Sequence, residues 1–447
     1  MERKWEQLTA DEKRDQLFDR WMSPPGIKYA SPAAQKAYKE RTTRIKDAFE
    51  LRKAPDRVPV FPIVGFFPAY YSGLTPRDLM YDYARIPVAF KKYVVDFEPD
   101  AHAGPMGAPP GPSFEILDYK LYKWPGHGVP PEYSYQAVEG EYMMADEYDA
   151  LIRDPSHFFN TVFLPRIFGA LQPLKQLAPA TNMTEMYGGF TGVSLVPYGL
   201  PDVQAAYKAL LEAGSEALKW IAAVGSFDKE MAELGFPDFF GGGCKVPFDV
   251  IGDTLRGTRG ISTDMYRHPK KLHKALEVLT PIMVSMGASA AKMNGNPLVF
   301  IPLHKGADGF LSDQQFRTFY WPYFKSLLLG LIDEGCVPFP WAEGGYNSRL
   351  ECISDLPKAK TIWGFDTTDM ARAKATIGQV ACIGGNLSLS TLSVGTSQQV
   401  REEVQRLIET CAKGGGYILM NGAVIDDVKA ENVRVMIEAT KQFGIYR

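Results

Sequence analysis

From residue 56 onward, short apolar runs alternate with stretches whose apolar residues recur every three to four positions. The runs fall at 58–64 (VPVFPIV), 92–97 (KYVVDF), 182–190 (NMTEMYGGF), 297–303 (PLVFIPL), 336–341 (CVPFPW), 361–366 (TIWGFD), 380–385 (VACIGG) and 417–420 (YILM). Most lack the strict apolar/polar alternation of a strand with one wet face, as expected of strands buried on both faces. Helical signals separate the last five. Ser312-x-x-Gln315 predicts the start of a helix over 313–334, with Pro322 inside it and Gly335 as its stop. Thr396-x-x-Gln399 predicts another, carrying Val400, Val404, Leu407, Ile408 and Cys411 on one face. A last helix places Val433, Met436, Ile437 and Thr440 together. Strand–helix alternation of this kind makes a parallel sheet covered by helices. Eight runs fit an α/β fold of the (β/α)8 TIM-barrel type, with a doubly wound open sheet as the competing architecture.

Two departures from the rhythm suggest how the chain is organised. Residues 9–21 open with a Thr9-x-x-Glu12 capping box and set Leu17, Phe18 and Trp21 on one side, and a charged helical stretch follows over 32–53. Residues 1–55 are therefore expected to form a helical extension, and 56–447 the barrel domain. Between about 98 and 181 the sequence is rich in Gly, Pro and aromatic residues, including GPMGAPPGP at 104–112. Long insertions in compact domains are commonly binding loops or lids, so this one is expected over the barrel mouth.

Bulk properties narrow the function. A net charge of −3 offers nothing to nucleic acid or to an anionic membrane surface. The most apolar stretch, 58–71, is too short to span a bilayer, and the charged N-terminus has no apolar signal-peptide core. Five scattered cysteines, with no CxxC or CxH spacing, suit a reducing cytoplasm.

In parallel barrels the chemistry gathers at the carboxyl ends of the strands. The residues expected there are Phe66, Phe67, Tyr70 and Tyr71 after strand one, His304 and Asp308 after strand four, and Trp341, Glu343 and Tyr346 after strand five. Asp366, Asn386 and Asn421 follow strands six, seven and eight. An aromatic-walled mouth with one histidine and a few acids suits an uncharged, flat or apolar ligand. Within it, "WAEGG" (341–345) puts Glu343 beside an indole, where a dry environment would raise its carboxyl and let it donate a proton. The same glutamate would serve equally well as a loop cap. His304 and Asp366 are the other catalytic candidates, and the aromatic and amide residues are the substrate-binding ones. GGGCKVP (241–247) is not a phosphate-binding Walker loop. Asp100-x-His102 begins like a corrinoid-binding D-x-H-x-x-G signature, but Pro105 stands where the glycine belongs.

The C-terminal third resembles the uroporphyrinogen decarboxylase superfamily. The similarity lies in GFLSDQQFRTFYWPYFKSLLLGLIDEG (309–335), IWGFDTT (362–368), CIGGNLS (382–388) and GGGYILMNGAVIDDVKAENVRVMIEATKQFG (414–444). Looser likeness extends over 188–201 and over 147–166, the latter resembling a segment of the methyltransferase-like branch. The resemblance implies a (β/α)8 barrel and two candidate activities. Decarboxylases of the superfamily hold polycarboxylates with arginines in an RQAGR motif, but the matching region here is PIVGFFPAYYSG (62–73), and LMNGA (419–423) replaces their LGHG. Zinc-dependent thiol methyltransferases use a His-x-Cys, where this chain has Trp341-Ala342-Glu343. What the resemblance leaves is a methyltransferase passing a methyl group from a small donor, such as an aryl methyl ether, to a corrinoid (cobalamin) on a separate corrinoid-binding protein. It also allows a zinc ion held by His304, Asp308 and Glu343, and a homodimer. A lyase acting on a smaller substrate and a non-catalytic binding barrel are the alternatives.

Overall fold

A computed structural model describes residues 3–105, 107–185 and 187–446. Strands three to eight form one parallel sheet in sequential order, running from Gly242–Gly243 through Leu298–Leu303, Val337–Ala342, Ile362–Phe365 and Cys382–Gly384 to Tyr417–Ile418. Two extended segments close it into a barrel. Residues 58–64 pair with strand eight, where Phe61 N–H donates to Leu419 O (3.0 Å) and Leu419 N–H to Pro59 O (2.9 Å). Residues 100–102 bridge the remaining gap, with Asp100 N–H on Val60 O (3.0 Å) and Phe239 N–H on His102 O (2.8 Å). The fold is a (β/α)8 barrel.

Strands four to eight lie where the apolar runs predict them. Strands two and three do not. Residues 92–97 belong to the helix Arg85–Phe97, whose buried positions Ile86, Phe90, Tyr93, Val94 and Phe97 follow helical spacing. The run 182–190 makes short helical turns instead of a strand, and its Met186 lies outside the described residues, as does Met106 of the GPMG stretch. Strand three is the glycine-rich segment around 238–243, which has too few side chains to look like a strand. Between strands two and three the chain makes an excursion over 103–237. It contains a small three-stranded sheet (Tyr122–Pro125, Gly128–Val129, Gln136–Ala137) and the long helix Pro201–Glu233. The excursion has a small core of its own, built on Leu117, Leu171, Leu174, Val203 and Ala206.

The barrel interior is a stack of rings, with Phe61 on Phe239 (centroids 4.0 Å apart), Phe339 against both Phe239 and Phe240, and Trp341 above them. Helices Ala10–Met22 and Pro32–Glu50 plug its amino-terminal end with Phe18, Trp21, Ile45 and Phe49. A buried ion cluster fixes that plug. Arg44 and Arg57 each reach the Asp100 carboxylate at 2.7 Å, and Val60 N–H adds a fourth bond. Burial would raise the Asp100 carboxyl, but the two guanidiniums hold it below its ordinary value. Asp100 therefore serves the fold. His102 is buried against Phe227, and burial pushes its imidazole down to about 3. Among the described residues, no helix is long and apolar enough to cross a membrane.

Candidate active site

The chemistry at the carboxyl end begins with a segment that the run pattern hides. Strand three exits through Lys245 into Pro247–Asp249 and a wide π-helical turn, Val250–Leu255. Such turns recur at functional sites because they re-aim side chains. Here the turn directs two carboxylates, four residues apart, at the end of strand four. Asp249 is fully buried and accepts the backbone N–H groups of His304 (3.1 Å) and Lys305 (3.0 Å) as well as the Tyr320 hydroxyl (2.9 Å). Burial, and then the charge of Asp253, push its carboxyl up to about 6. Asp253 lies beside it and binds His304 Nδ1 at 2.6 Å and Lys245 Nζ at 2.7 Å, with Lys305 Nζ at 3.5 Å. Burial opposes its charge, yet these partners hold it down at about 2.

His304 is the group this arrangement acts upon. Burial alone would depress its imidazole. The Asp253 hydrogen bond and charge, with the nearby Glu343 carboxylate, outweigh that and raise it to about 10. Its free Nε2 faces Glu343 Oε1 at 3.7 Å. The barrel mouth thus carries an imidazolium backed by a carboxylate, in the manner of an Asp–His pair.

Glu343 stands at the mouth as the sequence predicts, but not in the dry pocket expected for it: half of its side chain (50%) is exposed. The group whose affinity for a proton is raised is its neighbour His304. Asp366 sits across the same loop and accepts Gly344 N–H at 3.0 Å; burial raises its carboxyl, Gly344 N–H opposes this, and the Glu343 charge adds to the rise. Glu343, His304 and Asp366 are therefore brought together. Trp341 forms the floor, buried in the barrel with its indole N–H on Gly422 O (3.2 Å).

Other predicted residues lie elsewhere. Phe67 and Tyr71 fall four apart on the short helix Phe67–Tyr71, so both turn away from the mouth onto Phe97 of the neighbouring helix. Phe66 is buried with its N–H on Asp426, and Tyr70 donates its hydroxyl to Glu132 O at 2.6 Å. Tyr346 is fully buried below the mouth. Asn386 ties strand seven to Thr368 O at 2.8 Å. Asn421 spends its whole amide stitching strand eight to strand one, accepting from Ile63 N–H (2.8 Å) and donating to Ile63 O (2.9 Å) and Ala423 O (2.7 Å). It closes the barrel and has no group left for a ligand.

The three residues expected to hold zinc do not converge. Asp308 accepts from Ser348 Oγ (2.9 Å) and lies 3.5 Å from Arg349, on the loop side. Among the described residues, no group of three or more His, Cys, Asp or Glu could hold a metal ion. With Asp308 turned to Ser348, these three residues do not fit zinc.

Sequence reasoning missed Lys245, Asp249 and Asp253. Their spacing in KVPFDVIGD, every fourth residue directly after a glycine-rich strand, was a legible signal once that strand is located.

The family model for uroporphyrinogen decarboxylase (URO-D) matches residues 206–443, more than half of the chain. The chain belongs to the uroporphyrinogen decarboxylase family. Curated URO-D relatives include the uroporphyrinogen decarboxylase of Mannheimia succiniciproducens, 25% identical over 200 residues, and that of Methylococcus capsulatus, 28% identical over 199. Each match covers 44% of this chain and 55% of the relative, so the chain spans about half the length of the curated proteins it matches. A solved structure described as a methyltransferase from Methanosarcina mazei superposes with a TM-score of 0.56 at 16% identity, covering 90% of this chain and 98% of that one. That likeness shows a shared fold.

Proposed function

We propose that the protein moves a methyl group from a small donor, best an aryl methyl ether, to the cobalt of a corrinoid carried by a separate protein. The observation that carries this reading is the His304–Asp253 pair at the mouth, with Glu343 3.7 Å from the free nitrogen. The reduced corrinoid supplies the electron pair that accepts the methyl group. When the donor C–O bond breaks, its electron pair stays on oxygen, and His304 Nε2 delivers a proton there. A free phenol ionises near pH 10, so an imidazolium raised to about 10 is matched to a phenolate leaving group. Asp253 keeps that imidazole protonated at neutral pH and fixes which nitrogen faces the substrate. Glu343, open to solvent, is placed to return the proton. Trp341 and the buried rings beneath it keep water from the floor of the site.

The mouth also fits poorly with a polycarboxylate. Arg349 is buried and committed to Gly306 O and to Asp313, so it does not face the opening. Lys245 and Lys305 do favour a second reading, a lyase acting on a substrate with a single carboxylate; both amines, however, already flank Asp253. One assay separates the two. The protein is incubated with a reduced corrinoid protein and a panel of methyl ethers, methylamines and thioethers, and corrinoid methylation is followed by absorbance. Methylation supports the proposal; none across the panel, with carbon dioxide release from an aryl carboxylate instead, establishes the lyase.

A further inference from the structure

A strap from the excursion between strands two and three crosses the mouth. It is anchored to the barrel at both ends. At one end Arg77 N–H donates to Pro131 O (3.3 Å) and the Tyr70 hydroxyl to Glu132 O (2.6 Å). At the other, Thr258 N–H at the start of helix Gly257–Arg267 donates to the Glu139 carboxylate (2.6 Å), while Tyr142 and Met143 N–H both reach Leu255 O at 2.8 Å. This second anchor is the end of the very turn that carries Asp253.

Between the anchors the strap is lightly held. Residues 132, 133, 135, 136 and 137 are exposed, and Gln136–Ala137 pair with only one short strand. The residue at its centre is Tyr135. Its ring meets Phe66 edge-on at 6.2 Å and Tyr122 at 5.6 Å. The two anchors hold it between the loop after strand one and the turn that carries Asp253. A tyrosine from outside the barrel thus packs on Phe66 at the carboxyl end of strand one.

We propose that residues 131–139 are a lid and that Tyr135 packs directly on the methyl donor, so that the lid must swing off its Phe66 contact before a corrinoid protein can approach. The substrate class this favours is a flat aromatic methyl ether, whose ring the Tyr135 side chain would cover. The inference rests on the methyl-transfer proposal only for the nature of the donor.

The test uses the full-length protein and 2-methoxyphenol as probe, with methylamine and methyl thioether probes beside it. Calorimetry compares wild type, Tyr135→Phe and Tyr135→Ala, and hydrogen exchange follows the amides of 132–137. Loss of the ring contact is expected to weaken 2-methoxyphenol binding about tenfold in Tyr135→Ala and less in Tyr135→Phe, with unchanged Tm in both. Saturating probe is expected to slow exchange of 132–137 at least about threefold in wild type, and not in Tyr135→Ala. Equal affinity of wild type and Tyr135→Ala, or lid exchange indifferent to bound probe, overturns the lid. Methyl transfer in a protein indifferent at Tyr135 removes the lid alone. Binding that shields the lid without methyl transfer removes the proposed function alone. If no probe of any class binds, both fall.

Discussion

Replacing Asp253 with Asn is the most informative single change. It keeps an oxygen that can accept from His304 Nδ1 but removes the negative charge 2.6 Å away. What remains near the imidazole is burial, which depresses it, set against the Glu343 carboxylate at 3.7 Å, half exposed and therefore more weakly felt. His304 should therefore fall from about 10 toward its ordinary 6.5. The sign follows directly: the protonated form is the active acid, so activity is lost as pH rises through the imidazole's own pKa. At pH 7.5 the wild-type group is essentially all protonated, whereas a group titrating at 6.5 is only about one-tenth protonated. The variant should have about one-tenth of its own low-pH rate at pH 7.5, and the alkaline limb of its kcat/KM profile should move down by about three pH units. An NMR titration of the His304 ring in the resting protein reads the same shift without turnover. A ring that still titrates near 10 in Asp253→Asn would refute the charge coupling on which His304 depends.

Other consequences are measurable. Glu343→Gln, at a longer and more exposed contact, should lower the His304 titration by less than Asp253→Asn does, and an equal or larger drop would reverse their ranking. Asn421→Ala strips three side-chain hydrogen bonds from the end of strand eight; Ile63 O keeps Ile425 N–H, but leaving Ile63 N–H unpaired and Ala423 O without its amide donor should cost about 2 kcal/mol in denaturant unfolding. The His304–Asp253 pair also makes stability depend on pH. The histidine's contribution is complete below 6.5 and is lost as pH rises through about 10; that of the aspartate is present above 3.8 and is lost as pH falls through about 2. Wild type should thus lose its Tm advantage over His304→Gln between pH 6.5 and 10, and an advantage that grows over that range would contradict the coupling. Because the described residues hold no group of three ligands for a metal ion, dialysis against a chelator should leave the His304 titration unmoved; a shift restored by zinc would reinstate a metal site.

The sequence showed its fold most clearly where local signals agree. The capping boxes at Thr9, Ser312 and Thr396 all form, and Gly335 ends its helix with φ of +81°. Strands two and three were hidden for opposite reasons. The Val94-Val95 pair gives a helix the look of a strand, while a real strand made largely of glycines carries almost no hydrophobic signal. Misplacing strand three concealed Asp249 and Asp253, because a residue's role at the mouth follows from where its strand ends. His304, Glu343 and Asp366 were legible because their strands were. What could not be read was the pairing of His304 with Asp253, a carboxylate distant in sequence, which raises the imidazole.

The central claim is that His304 gives its proton to the departing oxygen, and leaving-group dependence tests it most directly. Corrinoid methylation is measured for a series of aryl methyl ethers whose phenols differ in acidity, with wild type and His304→Gln. Wild type should be nearly insensitive to phenol acidity, and the variant should slow steeply as the phenol becomes less acidic. Parallel dependences in the two proteins would contradict the account.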